Sequence, residues 1–351
     1  MVCRIAVRLL PVILGVLFPF AASSAQSLPK PIVFKMNHQF PADTAGSKLD
    51  AWFAEQIFTA TNGSVRIRIF WSNGLGGPRE NLALLKNGVI DMAAMSAGYF
   101  PDELALHAAP NSLPMGMDNI CQASAIMHAF ITDIDAFKEE ATRYKIRPLF
   151  FHLLNPYLLV SKTPVTTFDQ LRGMRIRTWG EDMPRLVAAA GAKPVKLFLP
   201  DIYAAMERGV IDACPFSVDL MKSYKIYQLA RHVTEVVMWE GPSWGIWIGS
   251  KAWDRLTMAQ RRIFTDTAEK VRRREIPDTL AAEREAREFL LSQAVQFHPF
   301  SKKELTRWKN ASPDFFDDLV VRLEDRGLGA AGRQMVSLWH QMRKQIRCPS
   351  K

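Results

Sequence analysis

The sequence predicts an α/β fold with two similar lobes, and three features of the chain support that prediction. The segment GVIDMA at residues 88–93 recurs as GVIDAC at residues 209–214, and each copy follows a helix-like stretch. Strand-like and helix-like segments alternate in the first half, as in proteins with parallel sheets. From Thr257 the chain has a helical pattern to about Gln293. Two related lobes commonly leave a cleft between them, so we expect a molecule that closes on a ligand.

Residues 1–25 have the pattern of a secretory signal peptide. Arg4 and Arg8 precede an apolar run at residues 9–22, and small residues at 23–25 suit cleavage. The run is short for a membrane-spanning helix and contains prolines and a glycine, although a retained anchor is the alternative. We therefore expect a mature chain that begins near Gln26 and works in the periplasm.

The charge and the cysteines narrow the function only slightly. A formal net charge of +10 fits an anionic ligand, an acidic partner or a membrane surface, and it also fits simple solubility. The basic run at 272–274 lies in a helical stretch and is followed by acids, so we expect a solvated helix face and no nucleic-acid partner. Cys121, Cys214 and Cys348 are an odd set. The sequence leaves a Cys121–Cys348 pair open, although nothing in the spacing argues for it, and Cys214 suits a small buried residue of the repeated strand.

The first half predicts alternating strands and helices that lead to the first repeat. A helix begins after Asp43 or Thr44, either of which can cap it. In each repeat the glycine suits a left-handed helix cap, and the next four residues suit a buried parallel strand. The predicted elements are a strand at 32–36, a helix at 45–61, a strand at 65–70, a glycine-rich turn at 74–77 and a helix at 81–86.

The second half continues with elements that lead to the second repeat and then to a long helix. Thr257 to Gln260 has the form of a capping box at the start of that helix. The predicted elements are a helix at 121–144, strands at 147–152 and 157–161, a helical turn at 168–173, a strand at 174–178 and strand-like runs within 233–249.

Catalytic motifs are weak. Residues 241–245 (GPSWG) match the G-x-S-x-G nucleophile elbow, which needs a helix after the serine, but a strand-like run follows here. A serine hydrolase that uses Ser243 is the enzymatic alternative. The glycine turn at 74–77 lacks a phosphate-binding lysine, and the histidines and cysteines lack metal-ligand spacing. The sequence therefore predicts no catalytic residue, no metal and no cofactor.

Five motifs occur together in a specific order. They are residues 74–80 (GLGGPRE) with 88–91 (GVID), residues 169–177 (DQLRGMRIR), residues 191–195 (GAKPV), residues 201–212 (DIYAAMERGVID) and residues 250–256 (SKAWDRL). This ordered set resembles the DctP-type substrate-binding proteins of tripartite ATP-independent periplasmic (TRAP) transporters over nearly the whole mature chain. The resemblance implies a two-lobed periplasmic binding protein fold with a ligand cleft and a long helix that braces both lobes.

The resemblance also implies a division of the chain and a biological role. We expect the first lobe to contain residues 26–155 and about 242–285, and the second to contain residues 156–241 and about 286–351. The protein would be a monomer that carries an organic acid to a two-component TRAP membrane permease, without catalysis. A partner that is a sensor or an ATP-driven importer remains the alternative.

In the family the arginine that ends the GMRIR strand holds the ligand carboxylate, and here it is Arg177. A guanidinium offers two parallel donors that match two carboxylate oxygens. Strand alternation puts Arg175 on the same face as Arg177, so position alone does not separate them. A structural ion pair is the alternative role for Arg177.

Other positions carry over from the resemblance as ligand contacts. Asn37 and His38 follow the first strand, and Ser96 and Tyr99 follow the first repeat. Tyr157 and Phe216 stand where the family often has a second arginine and a polar side chain. Nearby tryptophans would complete an aromatic enclosure, which favours a monocarboxylate with an apolar or aromatic body, unless these rings belong to the core. The tryptophans are Trp179, Trp239 and Trp244.

Overall fold

A computed structural model describes Val2 and residues 30–348, so nearly all of the proposed signal peptide at 1–25 lies outside the described residues. The chain divides into two compact units, Met1–Lys30 and Pro31–Lys351. Every helix and strand of the described residues belongs to the second unit. In this part of the chain no helix is both long enough and apolar enough to cross a membrane.

The strands and helices alternate along the second unit. The strands are β1 (Ile32–His38), β2 (Val65–Phe70), β3 (Met92–Met95), β4 (Ile146–Leu153), β5 (Tyr157–Ser161), β6 (Arg175–Thr178), β7 (Lys193–Lys196), β8 (Ala213–Phe216), β9 (His232–Trp239), β10 (Pro242–Gly249) and β11 (Gln296–Pro299). The helices are α1 (Ala45–Ala60), α2 (Asn81–Asn87), α3 (Ala105–Ser112), α4 (Ile120–Asp133), α5 (Asp135–Arg143), α6 (Met183–Ala189), α7 (Ile202–Glu207), α8 (Val218–Ser223), α9 (Ser250–Asp254), α10 (Met258–Ser292), α11 (Lys302–Ala311), α12 (Phe315–Asp325) and α13 (Gly329–Gln345).

Two mixed sheets form the cores of two lobes. The sheet of the first lobe has the order β2-β1-β3-β10-β4, and that of the second has the order β11-β9-β5-β8-β6-β7. The chain passes from the first sheet to the second between β4 and β5, and it returns between β9 and β10. Both connections are short, so the lobes are joined by two adjacent crossings. The predicted two-lobed α/β fold is confirmed.

The sequence repeat is a helix end followed by a strand, but the predicted strand starts were wrong. Gly88 and Gly209 have the expected left-handed conformation, with φ of 75° and 69°. The following residues are turns, in which Val89 and Val210 are exposed, and their N–H groups bond back to the preceding helix. The strands β3 and β8 begin only after the repeated aspartate. Each of them pairs in parallel on one side and antiparallel on the other.

The aspartate of each repeat has the same role in both lobes. The Asp91 carboxylate accepts a hydrogen bond from the backbone N–H of Lys35 at 2.8 Å. The Asp212 carboxylate accepts one from the backbone N–H of Arg175 at 2.9 Å. In both lobes an acid at the end of the turn therefore binds the backbone of the neighbouring parallel strand and sets its position.

The helix predicted at 121–144 is two helices, α4 and α5, which meet at Ile134. That residue is extended, with φ of −119° and ψ of 100°, and it is buried. The break turns its apolar side chain into the core, a tertiary demand that helical periodicity does not show.

Helix α10 braces both lobes, as predicted. It begins at the capping box of Thr257 and Gln260 and runs through Pro277 to Ser292. It packs against α1 and β4 of the first lobe and against α8, which lies between two strands of the second. One rigid element therefore crosses the boundary between the sheets.

A row of buried ionisable groups ties α10 to the first lobe. His152 lies between two carboxylates, with Nε2 at 2.8 Å from Asp50 and Nδ1 at 2.6 Å from Glu275. Asp50 also contacts His38 Nε2 at 2.8 Å. Burial alone would lower the pKa of His152, but Asp50 and Glu275 raise it to about 10. The cluster therefore holds a buried imidazolium between acids.

The cysteine pairing that the sequence left open is present. Cys121 and Cys348 form a disulfide that joins α4 to the segment after α13. Cys214 is free and buried in β8, and burial raises the pKa of its thiol to about 12. The disulfide thus anchors the C-terminal helix to the first lobe's α4.

Candidate functional site

A small cavity lined mostly by buried side chains lies where the two lobes meet. Its volume is about 10 Å³, which is room for about one water molecule. Side chains from both lobes contribute to it, so any larger ligand requires the lobes to separate first. The lining residues are Gln39, Ser96, Tyr99, Asn111, Tyr157, Arg177, Trp179, Leu199, Trp239 and Ser243.

Arg177 is the charged side chain of this cavity. It lies on β6 and is only 2% exposed. Its Nε donates to the Leu197 carbonyl at 3.2 Å, and its guanidinium carbon lies 4.3 Å from the centre of the Trp179 ring. Its Nη1 has no hydrogen-bond partner, and it forms no ion pair within residues 30–348. A buried cation in this state is costly unless an anion joins it.

Arg175 has a different environment, although it lies on the same strand. Its side chain is 45% exposed and binds Asp212 through Nε at 3.0 Å and Nη2 at 2.6 Å. This ion pair occupies the guanidinium of Arg175. Of the two arginines that strand alternation left open, Arg177 is therefore the one that reaches the cavity with free donor capacity.

Three aromatic rings form one wall of the cavity. The ring centres of Tyr157, Trp179 and Trp239 are 5.0 to 5.7 Å apart in pairs. Trp179 donates its indole N–H to the Asn111 carbonyl at 3.0 Å, and Trp239 donates to the Pro110 carbonyl at 3.3 Å. Because these carbonyls belong to α3 of the first lobe, rings of the second lobe are held across the cleft.

The hydroxyl groups of the cavity are already engaged within the protein. Tyr99 Oη accepts a hydrogen bond from the Leu199 N–H at 3.1 Å, and Ser96 donates to Asn111 Oδ1 at 3.1 Å. Burial raises the pKa of Tyr157, while Arg177 and a hydrogen bond with Ser243 oppose that rise. These contacts fix the positions of the hydroxyl groups around the cavity.

Asn111 and Gln39 are polar cavity residues that sequence reasoning missed. The Asn111 amide donates to the carbonyls of Pro242 and Ser243 at 2.6 and 2.7 Å, so it pins the start of β10. Gln39 is 3% exposed, and its Oε1 has no partner among the described residues. It lies two positions after Asn37, in the segment that sequence reasoning had singled out.

Six of the ten predicted site residues line the cavity, and four lie elsewhere. Asn37 is buried against the glycine turn, where its amide binds Gly76 and Asn81 and its oxygen accepts from Leu75. Asn37 therefore shapes the turn at residues 74–77 instead of facing the cavity.

The other three lie in hydrophobic or ionic surroundings. His38 contacts Asp50, and Trp244 stacks on His152 with ring centres 4.5 Å apart. Phe216 packs between Tyr157 and Tyr224. Trp244 and Phe216 therefore belong to the core, which was the alternative for the predicted aromatic residues. Trp239 packs against Tyr157 and also lines the cavity.

The sequence match to a nucleophile elbow does not have the required context. Ser243 lies inside β10, which continues to Gly249, and no helix follows it directly. The strained turn between strand and helix that exposes such a serine is therefore missing at this position.

A larger cavity of about 290 Å³ lies beside this small one and shares Tyr99 and Trp179 with it. Arg326 contacts two of its lining residues, Pro101 and Asp102, and joins the two lobes. It donates to the Pro101 carbonyl at 2.7 Å and to Asp102 at 3.2 Å, and it reaches Glu181 at 2.8 Å. This side chain therefore links the lobes across the mouth of the cleft.

Comparison with known proteins identifies the family. Residues 36–321 match the model of the bacterial extracellular solute-binding proteins, family 7 (DctP). The chain belongs to this family. The C4-dicarboxylate-binding periplasmic protein DctP of Rhodobacter capsulatus is 24% identical over 327 residues, which cover 90% of this chain and 95% of that protein.

Solved structures share the fold of this DctP-family chain. A marine metagenome TRAP solute-binding protein specific for aromatic acids, in complex with metahydroxyphenylacetate, has a TM-score of 0.78 at 20% identity, covering 90% of this chain and 99% of that one. A TRAP periplasmic solute-binding protein from Desulfovibrio salexigens with bound orotic acid has a TM-score of 0.79 at 18% identity, with coverage of 90% and 99%. The predicted family and extracytoplasmic solute-binding role are confirmed.

Proposed function

We propose that this protein captures an organic acid between its lobes in the periplasm and delivers it to a TRAP-type membrane permease. The observation that carries the proposal is Arg177, a buried cation with an unpartnered donor in the inter-lobe cavity. A carboxylate would supply both the missing charge and the missing acceptors, since its two oxygens match a guanidinium.

The acid we propose is a monocarboxylate with an apolar or aromatic body. Among the described residues that line the cavity, Arg177 is the only charged side chain, so a second carboxylate would be buried without a counter-charge. The wall of Tyr157, Trp179 and Trp239 offers ring faces to the rest of the ligand. The relatives named above bind acids of different classes, including C4-dicarboxylates, aromatic acids and orotic acid.

The mechanism is closure of the lobes on the ligand. The cavity is too small for an organic acid, so the ligand enters an open form and the lobes then close around it. A ligand that contacts both lobes adds its binding energy to the closed form and shifts the equilibrium toward it. The bonds from Leu199 to Tyr99 and from Trp179 to Asn111 also form only when the lobes meet. The closed form would be the one that the permease recognises.

The test is ligand binding by refolded, ligand-free protein without residues 1–25. Benzoate, phenylacetate, hexanoate and succinate are compared by thermal shift and calorimetry, because a ligand of the native state raises the melting temperature. Arg177→Ala should weaken binding of the preferred acid by about 30-fold or more, since it removes a buried charge partner. Arg177→Lys should also weaken it, because a point charge does not reproduce the two-donor fork.

Arg175→Ala is the matched control, because it removes an arginine from the same strand that is already paired with Asp212. It should leave affinity nearly unchanged. Unchanged affinity in Arg177→Ala would refute the assigned role of that residue. Binding of succinate alone would refute the monocarboxylate proposal while leaving the carboxylate clamp in place.

A further inference from the structure

Two buried polar atoms of the cavity lack hydrogen-bond partners among the described residues, and they come from opposite lobes. Arg177 Nη1 is a donor on β6 of the second lobe. Gln39 Oε1 is an acceptor just after β1 of the first lobe. Both side chains are at least 97% buried, so bulk water does not satisfy them in the closed form.

The neighbouring polar groups do not compensate for this shortage. Ser96 and Asn111 bind each other, and the Asn111 amide is also held by two backbone carbonyls of β10. Tyr99 accepts from the Leu199 N–H and also interacts with the Arg177 guanidinium, but Arg177 Nη1 remains without a partner. An unsatisfied buried acceptor costs free energy, and native interiors rarely leave one without a partner. Gln39 Oε1 and Arg177 Nη1 are therefore an unpaired acceptor and an unpaired donor that line the same cavity.

We propose that Gln39 is a second polar contact for the ligand and that the ligand carries a hydrogen-bond donor, a hydroxyl or an N–H, in addition to its carboxylate. This inference rests on the proposed function. The carboxylate binds Arg177 of the second lobe, and the donor binds Gln39 Oε1 of the first. Such a ligand bridges the lobes through two hydrogen-bonded contacts, which stabilise the closed form. The site therefore binds hydroxy acids or cyclic amide acids more tightly than acids with an unsubstituted hydrocarbon body.

The selectivity follows from the amide that would otherwise stay unpaired. When an unsubstituted acid fills the cavity, Gln39 Oε1 remains buried without a donor, and the cost reduces its affinity. A site built around a substrate hydroxyl or N–H rejects the analogue that lacks it more strongly than an apolar pocket rejects a change in size. We expect the donor-bearing acid of a matched pair to bind at least about fivefold more tightly.

The experiment measures dissociation constants for matched pairs of acids with refolded, ligand-free protein. The pairs are benzoate with 3-hydroxybenzoate, phenylacetate with 3-hydroxyphenylacetate, and cyclopentanecarboxylate with pyroglutamate. The variant Gln39→Leu removes the acceptor at similar size, and Gln39→Met is a second variant in case leucine packs poorly. Gln228→Leu is the control, because that exposed glutamine binds Tyr203 outside the cavity.

The inference requires that the wild type prefers the donor-bearing member of at least one pair, and that Gln39→Leu or Gln39→Met brings that ratio close to one. Binding of the unsubstituted acid should be kept or improved in these variants, whereas Gln228→Leu should keep the wild-type ratio. An absent preference in the wild type, or a ratio unchanged in both variants, overturns the role of Gln39 and leaves the Arg177 clamp standing. Failure of every acid to bind the wild type overturns the proposed function and this inference with it.

Discussion

Two buried cations in this protein, His152 and Arg177, have opposite surroundings. His152 lies in the first lobe between Asp50 and Glu275, which hold its two ring nitrogens at 2.8 and 2.6 Å. Arg177 lies in the cleft, where its Nη1 has no partner in the described part of the chain. A charge that stabilises the fold is paired within the protein, whereas a charge that is left unpaired in a cavity has a ligand as its natural partner.

The largest expected effect is loss of stability in His152→Gln. The substitution leaves Asp50 and Glu275 buried without their cation, which should cost about 3–5 kcal/mol in the free energy of unfolding. Because the folded pKa of His152 is raised from 6.5 to about 10, its contribution is complete below about pH 6.5 and is lost as pH rises through about 10. Denaturant unfolding at several pH values measures both effects.

His128→Gln is the control for that experiment, since His128 is an exposed histidine on α4. Its unfolding free energy should change by less than about 0.5 kcal/mol. Equal losses of unfolding free energy at the two positions would mean that the ion pairs of His152 with Asp50 and Glu275 do not stabilise the folded protein.

Arg177→Met should change stability in the opposite direction. The variant loses the contact with the Trp179 ring, the hydrogen bond to Leu197 and the interaction with the Tyr99 hydroxyl, but it no longer buries an incompletely paired cation. We expect the ligand-free protein to gain about 0.5–2 kcal/mol in unfolding free energy while acid binding disappears, as occurs when a functional site is replaced by a packed one. Calorimetric melting without ligand measures the gain.

Arg175→Met supplies the contrast for this prediction, because it breaks a solvent-exposed pair with Asp212 and should change the unfolding free energy very little. A loss of several kcal/mol in Arg177→Met would contradict the comparison and would make Arg177 a structural residue.

Glu240 extends the comparison to a buried carboxyl group. A carboxylate becomes neutral when it binds a proton, whereas an arginine stays charged. Burial raises the pKa of Glu240 well above its usual range, and Glu283 and Asp219 add to the rise. The folded protein therefore keeps a proton that the unfolded chain releases above about pH 4.5, so stability falls as pH rises from there. Glu240→Gln should change stability little at pH 4 and increase it progressively toward pH 8.

The pH dependence of thermal unfolding tests this prediction, with the exposed Glu139→Gln as the control. The control should follow the wild-type curve at every pH. A Glu240→Gln curve parallel to the wild type would show that Glu240 is ionised in the folded protein.

The smallest expected effect is that of Arg326→Ala at the mouth of the cleft. Its partially exposed pairs with Asp102 and Glu181 should contribute about 0.2–1 kcal/mol, and only to the closed form. Acid affinity should therefore fall by less than about fivefold, and the loss should shrink in high salt. Arg343→Ala, which breaks a similar pair with Asp118, should leave affinity unchanged, and an equal loss there would argue against a link between lobes.

The errors in the sequence predictions share a cause. Local patterns located most strands and helices and the capping box of α10. They also placed the starts of two strands at Val89 and Val210, where the chain is still in a turn. Helical periodicity joined α4 and α5 across Ile134, because local pattern does not show a residue that leaves the helix to enter the core. Asn37 was predicted as a ligand contact because it is a polar residue after a strand. In the structure its amide donates to the Gly76 carbonyl and accepts from the Leu75 N–H, so the turn at residues 74–77 occupies both ends of the amide.

The sequence by itself determined the two-lobed α/β class, the long bracing helix, the family and the strand that carries Arg177, since these depend on local pattern and on ordered motifs. The tertiary structure decided which groups are left without partners. Arg175 and Arg177 are equivalent by alternation, and they differ only because Asp212 lies beside one and the cavity beside the other. Gln39 enters the site in the same way, because hydrogen-bond satisfaction depends on residues distant in sequence that folding brings together.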